Sequence, residues 1–235
     1  MKVWFDVKPQ KAVLALFVVS VLLLAASLAV DFWTLFGDAD KFWFLTRQFD
    51  FDVKNNVPHA FKTLLLLLCA GAIFLNARET RREEIFSTRW WLLGWIFLAL
   101  AVDEEVQLHQ QFVSPLIAMF KGEDLDNAVD ARIYWIVPYL VLTAIFCLAY
   151  LKFWWKLPPR VRLQFALAGI IYVGGAAFME EIAHHYAKVH DDKNVPYLLL
   201  TNVSEWMQMT GSILFLQALL QNLCTKTDGV IAAQR

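Results

Sequence analysis

Six long apolar stretches separated by short polar ones organise this chain. They run at roughly 12–34, 58–76, 90–112, 132–155, 163–187 and 195–223. Each has about the ~20 residues that a helix needs to cross a bilayer. Prolines mark several boundaries, with Pro58 and Pro196 near helix starts and Pro158-Pro159 in a loop. Pro138 lies inside the fourth stretch and predicts a kink that membrane helices tolerate. The pattern predicts an all-α, six-helix transmembrane bundle forming a single integral membrane domain over residues 1–235. Lys2, Lys8 and Lys11 precede the first stretch and Ser27-Leu28-Ala29 resembles a cleavage site. The stretch is nevertheless long for the apolar core of a signal peptide, and it reads as a retained helix.

Lysine and arginine set the expected orientation. One set of loops holds Lys2, Lys8 and Lys11; Arg78, Arg81, Arg82 and Arg89; Lys152, Lys156, Arg160 and Arg162; and Lys226 and Arg235. The other holds only Lys41, Arg47, Lys54, Lys121, Arg132, Lys188 and Lys193, together with the acidic run Glu123-Asp124-Leu125-Asp126. Both termini are therefore predicted to be cytoplasmic, with the loops at 35–57, 113–131 and 188–194 facing outward. The first outer loop mixes rings with acids, in Asp31-Phe32-Trp33 and Phe42-Trp43-Phe44. It reads as an interfacial segment lying over the bundle with its rings at headgroup level.

Composition agrees with this class. Hydrophobic residues make up 59% of the chain and aromatic residues 15%, with a mean hydropathy of +0.48. The net charge of −1 gives no reason to expect a nucleic-acid partner. Cys69, Cys147 and Cys224 lie in apolar runs with no C-x-x-C spacing and read as small apolar helix residues.

The candidate chemistry is what breaks the pattern. Asp103, Glu104, Glu105 and His109 interrupt the third stretch; Glu180, Glu181, His184 and His185 the fifth; Glu205 the sixth. An ionisable side chain at membrane depth costs at least ~2.5–3.5 kcal/mol on insertion scales, so pooling several marks a functional hypothesis. With a rise of ~1.5 Å per residue, Glu104 lies about 7 Å and Glu205 roughly 13 Å below the outer surface. His109 lies near that surface, and Glu180 and Glu181 about one turn below His184 and His185. Glu105 and His109, Glu180 and His184, and Glu181 and His185 are spaced i,i+4. Glu181 and His184 form Glu-x-x-His, a spacing used by dimetal sites in helix bundles. Asn202, Glu205, Gln208, Met209 and Ser212 form a stripe along the last helix. Consecutive acids fan over ~200°, so at most two of Asp103, Glu104 and Glu105 face the bundle interior. His59 reads as interfacial and His190 as solvated. Gly169, Gly174, Gly175, Ala176 and Ala177 read as close helix packing. Phosphate-binding, dinucleotide-binding, G-x-S-x-G and H-E-x-x-H motifs are absent.

Several segments carry a resemblance. They are Asn55-Asn56-Val57-Pro58, Asp103-Glu104-Glu105-Val106-Gln107-Leu108-His109-Gln110, Gly175-Ala176-Ala177-Phe178-Met179-Glu180, and Glu205-x-x-Gln208-Met209-x-Gly211. Over roughly residues 50–223 the chain resembles a widespread set of uncharacterised bacterial polytopic membrane proteins. Their patterns are D-E-x-x-x-x-H-E, G-A-x-x-x-E and E-E-x-x-E-M-x-G. The resemblance implies a bacterial inner-membrane location and points to Asp103, Glu104, His109, Glu180 and Glu205. This chain departs from it at Gln110, Ser204 and Gln208, where the patterns have glutamates, and at His184 and His185, which have no counterpart. Fewer carboxylates and more imidazoles shift the expected ligands toward nitrogen, and so toward zinc, iron or copper.

These residues are compatible with three functions from different classes. The first is a metal-binding membrane protein or metal-dependent enzyme acting on a lipid-like or small periplasmic compound. In it Glu104, Glu180 and Glu205 carry acid–base chemistry, and Glu105, His109, Glu181, His184, His185 and Glu205 supply a divalent metal's ligands. The second is a proton or metal-ion transporter, for which Lys62, Thr63 and Thr143 are the few polar steps in the inner half. The third is an accessory or assembly subunit with a structural polar cluster.

Overall fold

A computed structural model describes residues 9–37, 43–80, 84–106, 128–190 and 194–232. It is helical, with no strand among the described residues. The helices are α1 (Pro9–Phe36), α2 (Trp43–Phe49), α3 (Val57–Glu79), α4 (Glu84–Val106), α5 (Ala128–Trp155), α6 (Pro159–Val173), α7 (Glu180–His190) and α8 (Val195–Ala232). A π-helical segment, Gly174–Met179, joins α6 to α7 without a break.

Local chemistry explains where these helices start. At α3 the Asn56 side chain accepts the His59 backbone N–H at 3.1 Å, and Pro58 fills the first turn, where its missing N–H leaves nothing unpaired. The preceding Asn55 has φ 58°, in the left-handed region that asparagine tolerates better than most residues. Pro158 and Pro159 end the connection from α5 and open α6.

Three helical stretches are long and apolar enough to cross a membrane: Gln10–Phe36, Val57–Glu79 and Pro159–His190. The expected count of six is thus met only in part among the described residues, and the shortfall has particular causes. The apolar run of α4 is closed by Arg89 at one end and Asp103-Glu104-Glu105 at the other. For α5 the described side chains begin at Leu140, and Leu140–Trp155 alone is too short to count as a span. The first half of α8 carries the polar stripe Asn202, Ser204, Glu205, Gln208 and Ser212.

The described helices expose many large apolar side chains. Leu22 is 63% exposed, Leu148 72% and Ile170 68%. Leucine and isoleucine so exposed on helix after helix are at odds with water as the sole solvent and fit association with lipid.

Helix α8 is the axis of the assembly and packs against α1, α3, α6, the π segment and α7. Near one end Asn222 donates to Asn76 at 2.7 Å, and Asn76 in turn donates to the Leu219 carbonyl at 3.1 Å. Interhelical amide pairs of this kind hold helices together where lipid offers no hydrophobic drive. The same end buries Trp90, Phe153, Leu157 and Leu219. The other end buries Phe51, Phe61, Leu65 and Met209. There α2 leaves Trp43, Phe44 and Leu45 more than half exposed, consistent with the interfacial segment expected from the sequence.

Candidate functional site

The site lies where the first turns of α3 meet the end of α4 and the polar stripe of α8. The Asn56 cap fixes the start of α3, so His59, Lys62 and Thr63 fall on one face within a turn. Lys62 is buried, with 8% of its side chain exposed. Its Nζ lies 2.8 Å from Glu104 Oε1 and 2.6 Å from Glu205 Oε2, and it donates to Gln208 Oε1 at 3.4 Å. One ammonium therefore bridges carboxylates from two other helices.

His59 completes this centre. Read from the sequence as interfacial, it is in fact buried, at 4% exposure. Its Nε2 lies 2.9 Å from the Glu104 backbone carbonyl. A carbonyl only accepts, so Nε2 carries a hydrogen, and Nδ1 is the ring's other nitrogen. Nδ1 is 3.9 Å from Glu105 Oε2, which takes a hydrogen bond from the Thr63 hydroxyl at 3.2 Å.

The segment 50–56 covers the centre. Its Phe51 is buried, and the Phe51 N–H donates to Ser27 Oγ on α1 at 3.2 Å. Lys54, 42% exposed, reaches Glu205 Oε1 at 3.9 Å. Glu205 is thus gripped on one oxygen by Lys62 and only loosely on the other. A narrow recess is lined by Phe51, Lys54, Asn56, His59, Lys62 and Glu205. One turn before Glu205, Asn202 donates to Asp31 and ties α8 to α1. The stripe expected along α8 is buried at Asn202, Gln208, Met209 and Ser212.

Asp50, outside the apolar helices, is held above the ordinary carboxylate range. Burial is the main cause, and the Asp52 carboxylate adds to it against the lowering effect of the Asp52 N–H, which donates to Asp50 Oδ1 at 2.8 Å. A carboxyl raised on folding favours the folded state fully at acid pH and loses that contribution as pH climbs from the ordinary range through the raised value. Asp50→Asn keeps the acceptor and removes the charge. It is expected to raise thermal stability at neutral pH and leave it unchanged in acid, as a pH series of melting curves would show.

The structure thus brings Glu104 and Glu205 together on Lys62 and sets Glu105 beside His59. It places Glu180, Glu181, His184 and His185 on α7, with Glu180 and His185 exposed and Glu181 and His184 half-buried. None of these four lines the recess. A π segment precedes these residues. One extra residue in a turn rotates the downstream helix by about 100°, and the sequence expectation treated 163–187 as one regular α-helix. His109 lies outside the described residues. Among the described residues no group of three or more His, Cys, Asp or Glu is arranged to hold a metal ion.

Lys62 was read from the sequence only as a polar step of a transport path in the inner half and not as the partner of Glu104 and Glu205, yet a signal for that pairing existed. The other lysines and arginines fall in or beside predicted loops, whereas Lys62 sits a full turn inside a predicted span. A buried cation and buried carboxylates each need the other.

No curated protein and no solved structure matches the chain. A domain of unknown function, DUF8692, matches residues 56–223, most of the chain, from the start of α3 through the greater part of α8, so the chain belongs to that family.

Proposed function

We propose that this is a six-span protein of the bacterial inner membrane with both termini cytoplasmic, and that the Lys62 centre is the proton-binding site of a membrane carrier. The observation that carries the reading is the placement of Lys62 between Glu104 and Glu205, at 2.8 and 2.6 Å. An ammonium occupies the position that a metal cation would take between the two carboxylates. Glu105 Oε2 lies 3.9 Å from His59 Nδ1, where a carboxylate stabilises an added proton on the ring. In this reading the centre lies in the outer half of the bilayer. Protons reach it along Lys54 and the second oxygen of Glu205.

The metal reading draws on His109, Glu181, His184 and His185 with zinc, iron or copper. No ligand group among the described residues favours it. Infrared difference spectroscopy on the full chain in lipid tests the proton reading. Acidification is expected to produce an imidazolium component specific to His59, missing from the His59→Gln difference spectrum and retained in Glu180→Gln. A folded wild-type protein with no His59-dependent signal overturns the proposal.

A further inference from the structure

At the end of the bundle remote from Lys62, the segment joining α5 to α6 carries cations and no acid of its own. No Asp or Glu occurs between Ala131 and Met179, while Lys152, Lys156, Arg160 and Arg162 crowd into one short segment. The structure makes this segment a built surface. The Arg162 guanidinium stacks 4.6 Å from the Trp155 ring centroid and 5.4 Å from that of Trp154. The Trp154 Nε1–H donates to the Arg162 carbonyl at 2.9 Å, which closes the turn at Pro158-Pro159. Lys156 lies 5.7 Å over the Phe86 ring, which stacks on Phe153 at 4.9 Å. Rings from α4 and α5 thus fix the backbone beneath the charges. Lys152, Lys156 and Arg160 are exposed, and beside them Trp155 is 60% exposed.

We propose that this junction recognises anionic phospholipid headgroups. Three features point to the occupant. The charge is of one sign over a stretch with no acid of its own, so its complement is an anion. The exposed indole marks the boundary between acyl chains and headgroups, where tryptophan concentrates. The apolar flank of α5, with Leu148 and Leu151 exposed, continues straight into the cationic cap, as the chains of a lipid continue into its phosphate. Cations at a membrane surface in this arrangement attract anionic lipid. The proposal rests on the membrane reading and is independent of the proton centre.

The test is the thermal stability of the detergent-solubilised full chain titrated with phosphatidylglycerol or phosphatidylcholine. Phosphatidylglycerol is expected to stabilise at lower concentration, and high salt is expected to erase the difference. The Lys152→Gln/Lys156→Gln/Arg160→Gln variant is expected to lose roughly fivefold in apparent affinity per cation removed, on the order of 100-fold in all, with its phosphatidylcholine response unchanged. Equal response of the wild type to both lipids, a preference unaffected by salt, or a variant that keeps the preference overturns the proposal. Should the triple variant not fold, Arg160→Gln alone and the wild-type salt series decide it. Stabilisation by glycerol phosphate equal to that by the lipid would also overturn it, since the free headgroup would then be the ligand.

Discussion

Lys62→Met is expected to lower the stability of the folded chain by about 3–5 kcal/mol, the effect of removing one partner from a buried ion pair. The substitution keeps the length and most of the volume of the side chain, so packing on α3 changes little. What changes is charge. Glu104 and Glu205, drawn together by one Nζ at 2.8 and 2.6 Å, are left facing each other with no cation between them. Lys54 is too far from Glu205, at 3.9 Å and half solvated, to replace it. A proton is the smallest substitute, so the variant should recover part of its stability on acidification, whereas a variant damaged only in packing should not. Thermal melts of wild type and variant across a pH series measure both effects.

The second large effect concerns backbone contact between α8 and the α6 unit. A Cβ built on Gly175 falls 2.6 Å from the Ser204 carbonyl oxygen, and one on Gly211 falls 2.8 Å from the Tyr172 amide nitrogen and 2.9 Å from the Ala168 carbonyl. These neighbours are backbone and cannot swing aside. Gly175→Ala and Gly211→Ala are each expected to cost ~1–3 kcal/mol through overpacking. Gly175→Ala also pushes back Ser204, whose hydroxyl donates to the Gly175 carbonyl at 3.1 Å one residue before Glu205. Gly71 and Gly169 have nothing within 4 Å of the same position. Alanine there is expected to be neutral or to stabilise by up to ~1 kcal/mol, from helix propensity alone. Unfolding of the four variants in mixed detergent separates the two groups. Equal effects at all four positions would contradict the close approach of α8.

Helix starts at Pro58 and Pro196 were legible in the sequence because proline restricts its own torsion wherever it stands, whereas Pro159, expected in a loop, opens α6. The stripe from Asn202 to Ser212 was legible because helical spacing alone sets which side chains share a face. Glu104 and Glu205 stood out because carboxylates in apolar runs require a partner. The partner itself was harder. Periodicity shows that Lys62 is in a helix but not which helix lies opposite, and a lysine near a helix start is normally read as reaching for the surface. The placement of α7 was not legible at all. The π segment contains Gly175, which meets Ser204 29 residues away, and no local pattern reports the phase shift that the segment introduces. Gly169 and Gly175 look alike in sequence, yet only Gly175 touches another backbone.

That Lys62 is the cation of the centre is tested most directly by a double-mutant cycle between Lys62 and Glu205. Lys62→Met, Glu205→Met and the double variant would be unfolded in the same detergent mixture, alongside the wild type. The geometry predicts that each single change is strongly destabilising. It also predicts that the double variant, which removes cation and carboxylate together, is more stable than the sum of the single losses by at least ~2 kcal/mol. Additive losses, within the ~0.5 kcal/mol seen for independent sites, would mean that Lys62 and Glu205 do not meet and that the centre does not exist.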